Sequence, residues 1–292
     1  MRLVFILAVF GLFCISEGTA QVSMSPRGTV TQIIDGTTIT VNYARPRLRD
    51  RANLFGGQIF WGHIWTPGAD DATTIEFDKE IKIENVSVPA GKYSMWMVNN
   101  KEDWEVILDP KWDQFHLPEP KRPENGYFFW VTPDTMATPK ETLTFDFSRL
   151  ENFGADLQMH FDTRLVTMNI KVPPSIQLIV TEEEVKPYLS NFKATLLVTE
   201  WNKESFDFDM TFEYDEGKLS APIKWNKNGE GQPTRFLMKT DQILYMGFFE
   251  GDELLSTGDT FFEFLLDEEG QAISFEWRSP EDELMMRGVR SN

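Results

Sequence analysis

The sequence predicts an all-β protein: an N-terminal antiparallel β-sandwich followed by a smaller C-terminal antiparallel β-meander or barrel. Three observations predict it. Short segments alternate apolar and polar residues with the period of two of a half-buried strand. Turn residues such as Asp35-Gly36, Pro89-Ala90-Gly91 and Asp267 to Gly270 separate them at short intervals. Pro173-Pro174-Ser175 then divides the series in two, because consecutive prolines stop a ladder. The expected organisation is a signal peptide at 1–20, a sandwich at 21–174, a linker at 175–191 and a second β domain at 192–292.

Arg2 followed by the apolar run Leu3 to Ile15 and small residues Gly18-Thr19-Ala20 reads as a secretory signal cut before Gln21. The apolar run is short for an uncleaved anchor, and Leu12-Phe13 before Cys14 disfavours lipidation. The expected location is periplasmic or extracellular, with no membrane insertion after cleavage. Cys14 is the single cysteine of the 292 residues and leaves with the signal, so no disulfide, thiol nucleophile or thiolate metal site is expected. Hydrophobic residues make up 41% of the chain, enough for a real core at this size. With 28 basic and 46 acidic residues the net charge is −18, a field that repels nucleic acid and anionic lipid. No D-x-D-x-D-G loop accompanies the acids, so calcium is not implied.

Val30 to Tyr43 alternates around Asp35-Gly36, a dipeptide that tolerates the positive φ of a tight hairpin turn. Arg45-Pro46 ends that ladder. The stretch Tyr43 to Thr73 then loses any steady period while collecting arginines, acids, glycines, His63 and Trp65. Irregular loops on a β scaffold are where function concentrates. Arg47, Arg49 and Arg51 share one side of an extended chain. They form either a cationic rim for a carboxylate, phosphate or sulfate, or ion pairs with Asp50, Asp70 and Asp71; the acidic composition favours the pairs. Phe55-Gly56-Gly57 and Trp61-Gly62 suggest close backbone packing. His63 is the best single acid–base candidate, with Asp70 or Asp71 as its partner, because its ordinary titration lies near neutrality. A lone histidine among aromatics is more often structural.

The motifs Ser25-Pro26, Gln32, Tyr43-Ala-Arg-Pro-Arg, Arg49-Asp-Arg, Leu54-Phe-Gly-Gly, Gly68-Ala-Asp-Asp-Ala-Thr and Pro89-Ala-Gly-Lys-Tyr-Ser occur in that order. In this the stretch from Ser23 to Val172 resembles DUF2911, a family of exported domains of unknown function from Gram-negative bacteria. The resemblance implies a β-rich exported domain and no established activity. The chain departs from the family in reading Trp65-Thr66 where Trp-Arg is usual, and Asp70 where an amide is usual, which changes the local charge.

Thr74 to Phe77, Ile81 to Ile83, Lys92 to Val98 and Trp104 to Leu108 read as short strands. Asp109 to Lys140 reads as a long proline-punctuated loop, the length of a lid or binding loop, with Phe128 to Val131 as a short strand inside it. Its Trp112, Tyr127 and Trp130, beside Asp113, Glu119 and Glu124, could stack on sugar rings or plug one end of the sandwich. Glu141 to Phe147 is a half-buried strand. Ala155 to Phe161 and Leu165 to Val172 read as a hairpin turning at Asp162-Thr163-Arg164, with His160 an ordinary strand residue.

Thr181 to Glu184 matches a capping box, so a short helix is expected in the linker before Pro187. Strands follow from Phe192, over Ser205 to Tyr214, and over Lys218–Trp225, Phe236–Thr240, Gln242–Phe249, Thr260–Leu266, Ala272–Trp277 and Leu284–Val289. Six or seven sequential strands with short links suggest a meander closing into a barrel, filled rather than hollow. The spacing F-x-Y-D-x-G-x-L from Phe212 gives it a weak similarity to lipocalin-like barrels.

No catalytic or nucleotide-binding motif occurs, and His63, His116 and His160 fall on different elements, so neither a metal nor a cofactor is implied. The expected function is a non-catalytic binding module for a carbohydrate or small polar ligand. Its candidate ligand-binding residues are Tyr43, Arg45, Arg49, Arg51, Trp65, Asp70, Trp112, Tyr127 and Trp130. The alternatives are a hydrolase using His63 with Asp70 or Asp71, and an assembly protein of the envelope.

Overall fold

The computed structural model describes residues 23–118, 120–200 and 202–291. The expected signal segment with Cys14, and Glu119, lie outside these residues. The fold is all-β, as the alternation predicts.

Strands β1 (Arg27–Ile34) and β2 (Thr37–Ala44) pair across Asp35 and Gly36, at φ 44° and 68°. Both central positions are left-handed, as a two-residue hairpin of this twist requires. Next come β3 (Ile64–Trp65), β4 (Thr74–Phe77), β5 (Ile81–Ile83), β6 (Val86–Val88), β7 (Gly91–Val98), β8 (Trp104–Asp109) and β9 (Tyr127–Val131). Two 18-residue strands, β10 (Asp134–Glu151) and β11 (Gly154–Lys171), complete the sandwich. One sheet runs β1-β2-β4-β7-β8-β9, with β3 also on β7; the other runs β10-β11-β5-β6. Ile39, Val41, Ile75, Met95, Val106, Leu157 and Met168 are fully buried between them. Tyr43 bridges the sheets: its hydroxyl accepts from the Phe145 N–H at 3.0 Å and donates to the Phe145 carbonyl at 3.4 Å.

Two expectations of the sandwich are corrected. The residues 134–140, expected in the proline-rich loop, belong to β10. Asp162-Thr163-Arg164 is not a hairpin turn: β11 runs straight through it, and Asp162, at φ 52°, sits opposite a register shift against β10. An Asp in the left-handed region is tolerated inside a strand as a bulge, so a turn-forming residue need not turn the chain.

After Val172 the chain enters a four-residue helix, α1 (Glu182–Val185). Its capping box is formed: the Thr181 hydroxyl accepts from the Glu184 N–H, and the Glu184 carboxylate accepts from the Thr181 N–H. Nine strands follow: β12 (Asn191–Leu196), β13 (Phe206–Thr211), β14 (Glu213–Asp215), β15 (Lys218–Ile223), β16 (Gln232–Met238), β17 (Ile243–Glu250), β18 (Glu253–Leu266), β19 (Ala272–Arg278) and β20 (Leu284–Arg290). Their order is β13-β12-β20-β19-β18-β17-β16-β15-β14, a nearly closed antiparallel barrel. The run from Ser205 to Tyr214, expected as one strand, breaks at Phe212. Its halves β13 and β14 lie at opposite ends of the strand order, so this break is where the sheet comes round on itself.

A second apolar cluster, from Val180 to Met286, fills that sheet. The two systems meet through Ser175, whose N–H and hydroxyl donate to the Asp35 carboxylate at 2.5 and 2.7 Å. They also meet through a small cluster of Ile176, Leu237 and Leu254, with Phe153 packed against it.

Candidate functional site

The irregular stretch after β2 is held by backbone bonds to its neighbours. Leu48 N–H donates to the Glu141 carbonyl at 2.8 Å, and Ile59 N–H closes a tight loop onto the Leu54 carbonyl at 2.9 Å. Arg49, Asp50, Asn53 and Asp70 all sit at positive φ, between 51° and 60°. Such non-glycine residues cost conformational energy and are retained where surrounding contacts dictate the path. Further on, Thr66 is buried; its hydroxyl donates to the Met95 carbonyl and accepts from the Thr73 N–H at 3.0 Å. The Thr73 hydroxyl donates to the Pro67 carbonyl at 2.8 Å, and it lies 2.7 Å from where a Cβ on Gly68 would be. The segment from Thr66 to Thr73 is therefore a stapled turn that only a glycine at 68 can close.

The second loop the sequence singles out docks on this turn. Asp71 pairs with Phe115, Ala72 N–H donates to the Gln114 carbonyl at 2.8 Å, and His116 N–H donates to the Asp70 carbonyl at 2.9 Å. Gln114 is anchored in turn by bonds from its amide to Ser94 Oγ at 3.0 Å and Asp109 Oδ2 at 2.8 Å. The two loops enclose a cleft of about 630 Å³ lined by Arg47, Arg49, Arg51, Gln58, Trp65 and His116, with Leu54, Ile59, Ile64 and Leu117 as apolar walls.

The Arg49 and Arg51 side chains are held by neutral oxygens. Arg51 donates to the carbonyls of Leu48 at 2.8 Å and Arg47 at 2.5 Å and to Gln58 Oε1 at 3.0 Å. Arg49 Nη2 donates to the Met24 carbonyl at 3.1 Å, while its backbone N–H donates to Glu141 Oε1 at 3.2 Å. Among the described residues, Arg45, Arg47, Arg49 and Arg51 form no ion pair within 4.0 Å. The expected pairing with Asp50, Asp70 and Asp71 is thus not formed. Carbonyl oxygens satisfy the guanidinium hydrogens without neutralising the charge.

His116 Nδ1 lies 2.9 Å from the Asp70 carbonyl. A carbonyl only accepts, so Nδ1 carries the proton and Nε2 is the nitrogen left to the surroundings. The Trp65 indole packs against Phe55 and Trp104 at 5.7 and 6.3 Å, and its buried N–H has no acceptor among the described residues.

The other sequence-chosen residues are scattered. Tyr43 is a core residue, 4% exposed. Arg45 is half-buried over Thr144, with Nη2 at 3.5 Å from its hydroxyl. His63 is exposed beside Phe60 and lines a separate hollow with Arg122. No hydrogen bond joins His63 to Asp70 or Asp71 among the described residues. Trp112 and Trp130 are 45% and 57% exposed, and Tyr127 packs on Tyr93; none of the three lines the arginine cleft. Lys92 Nζ stands 4.4 Å above the Trp112 ring. Sequence reasoning named His116 only to set it aside as a metal ligand, and it passed over Arg27. His116 sits on a loop and is placed only by that loop's docking on Asp70. Arg27 donates from β1 to the Asp71 carbonyl at 3.1 Å and to Asn42 Oδ1 at 2.7 Å.

The family model for proteins of unknown function DUF2911 matches residues 25–170, half of the chain. The chain belongs to this family. The DUF2911 span takes in every cleft residue except Met24 and ends before the barrel-like sheet. Within it, the family's Tyr43-Ala-Arg-Pro-Arg motif supplies both the cross-sheet tyrosine and the first cleft arginine. The Gly68 to Thr73 motif is the stapled turn that carries the docking loop. No curated protein matches the chain. A solved structure from Nostoc punctiforme PCC 73102, described as a protein of unknown function from the DUF3598 family, is 9% identical. Its alignment covers 78% of this chain and 95% of its own, with a TM-score of 0.20.

Proposed function

We propose that the protein is a non-catalytic binding module for a small polar ligand, held in the arginine cleft. One observation carries the reading: Arg47, Arg49 and Arg51 line a cleft with no carboxylate among the described residues paired to them, in a chain of net charge −18. Acidic side chains outnumber basic ones, so cations left unneutralised at a concave site await a counter-charge from outside. Guanidinium groups suit carboxylate, phosphate and sulfate oxygens, which they bind as a fork. Between the two ligand classes suggested by the sequence, the cleft favours a small polar anion over a neutral sugar. The stacking aromatics Trp112 and Trp130 stand elsewhere. For the hydrolase reading, no hydrogen bond joins His63 to Asp70 or Asp71 among the described residues.

A thermal-shift screen with sugars, organic acids, phosphorylated metabolites and divalent metals tests this reading, because a ligand that binds only the folded state raises Tm. The expected result is a rise with at least one anion that disappears in Arg49→Ala. A selective rise that survives in Arg49→Ala would place the ligand elsewhere. A panel with no rise at all would end the binding-module reading.

A further inference from the structure

We infer that the cleft takes an organic anion with a flat apolar body, meaning a carboxylate, phosphate or phosphonate group carried on an aromatic ring or short hydrocarbon. The inference rests on the binding reading above and names the ligand class. Four features converge on it.

First, the charge lining the cleft is of one sign: three guanidinium groups, with no acidic side chain among the described lining residues. Second, the lining also includes Leu54, Ile59, Ile64, Leu117 and Trp65, side chains that offer little to sugar hydroxyls and much to an apolar body. Third, the cleft of about 630 Å³ lies in the range that holds a whole organic ligand, so a bare tetrahedral oxyanion would leave most of it to water. Fourth, the Trp65 N–H is buried without an acceptor among the described residues. An indole nitrogen can only donate, and a buried donor left unpaired is rare enough to call for an explanation. An anionic oxygen is the acceptor that the arginines would bring to this wall, while the indole face packs against the ligand's apolar part.

The same arrangement separates head from body. Arg51 is immobilised by its bonds to Leu48, Arg47 and Gln58, so its position is fixed before the ligand arrives. Arg49 has one bond, to the Met24 carbonyl, and is exposed. It can swing onto an anion and exchange that bond for a charge-assisted one.

The test is calorimetric titration of the full chain with benzoate, phenylphosphonate, acetate, inorganic phosphate, benzamide and glucose. The expected order places benzoate or phenylphosphonate about tenfold or more tighter than the matching bare anion and than benzamide, with affinity falling as salt rises. Arg49→Ala is expected to weaken the aryl anion by about tenfold with its Tm unchanged. Arg51→Lys keeps the charge but loses the fork, and is expected to weaken it less. Equal binding of benzamide and benzoate, or of phosphate and phenylphosphonate, overturns the inference while leaving the cleft reading intact. Binding of glucose alone, lost in Arg49→Ala, does the same. Binding of none of these overturns the inference, and the binding reading falls with it only if the wider screen is also silent.

Discussion

In the nine-stranded sheet, Phe192, Phe212, Phe236, Phe262, Phe264 and Phe275 are all buried, with ring centroids 5.0–6.1 Å apart in edge-on and tilted contacts. In the sandwich, Trp65, Phe55 and Trp104 form a comparable cluster, yet it borders an open cleft, and Trp112, Phe115 and Trp130 face solvent. The composition of the two regions is alike; the regularity of the chain differs. The meander keeps its alternation from strand to strand, so every second side chain points inward and the aromatics meet. The sandwich interrupts its strands with the stretch after β2 and the loop before β9. There the alternation fails and a hollow with charged walls results. Regular pleating fills space, whereas interrupted pleating leaves a site.

Three substitutions sharpen or break that contrast, from the largest effect down. Phe275→Ala removes a ring that touches Phe192, Phe262 and Phe264. It is expected to destabilise by about 3–5 kcal/mol, the usual cost of emptying an aromatic site in a core. Denaturant unfolding checks this, and any ligand response of the cleft should persist below the lowered Tm. A cost under about 1 kcal/mol would mean the sheet is not a filled core.

Tyr43→Phe deletes the hydroxyl that holds the Phe145 backbone across the sandwich. The expected loss is about 1–3 kcal/mol, the cost of leaving a buried partner unsatisfied. The decisive comparison is with Arg49→Ala, which should change ligand affinity and leave stability alone. If Tyr43→Phe instead weakens binding at constant stability, the tyrosine belongs to the site and the core assignment fails.

The smallest effect concerns pH. Burial pushes the His160 imidazole below its ordinary value, and the charge of Lys140 pushes the same way. A histidine whose folded pKa is depressed binds protons more readily when unfolded. Stability from this group is therefore complete above the unfolded pKa of about 6.5 and declines as pH falls through it towards the folded value. His160→Leu should flatten the melting temperature profile between about pH 7 and 5. An unchanged slope would assign the acid sensitivity to other groups, such as Asp156, whose carboxyl lies low because Arg149 and Asn169 offset its burial.

Much of this architecture was legible beforehand. The β1–β2 hairpin follows from Asp35-Gly36, the cap of α1 from Thr181 and Glu184, and the filled barrel from alternating phenylalanines. Each is a local rule acting on residues a few positions apart. The misreadings share one cause. Asp162-Thr163-Arg164 has turn chemistry but lies inside β11, and Ser205 to Tyr214 has strand chemistry but must break at Phe212 to close a sheet. In both cases pairing with a neighbouring strand overrode the local preference: β11 keeps its ladder to β10 through Asp162, and β13 and β14 pair with β12 and β15.

The site was legible as a region and not as a set. The sequence by itself determined that Arg45 to Thr73 is irregular, charged and bounded by strands, because proline, glycine and the loss of alternation act locally. Only the tertiary structure decided which of its residues face one another. It turned Tyr43 into the core, left His63 outside, and brought His116 from a loop more than 40 positions on to the carbonyl of Asp70. It also decided that Arg49 and Arg51 bond to backbone carbonyls rather than to Asp50, Asp70 or Asp71. Charge composition counts which ions a chain holds. Which of them pair is set by where the backbone carries each one, and that path is fixed by hydrogen bonds between segments far apart in sequence.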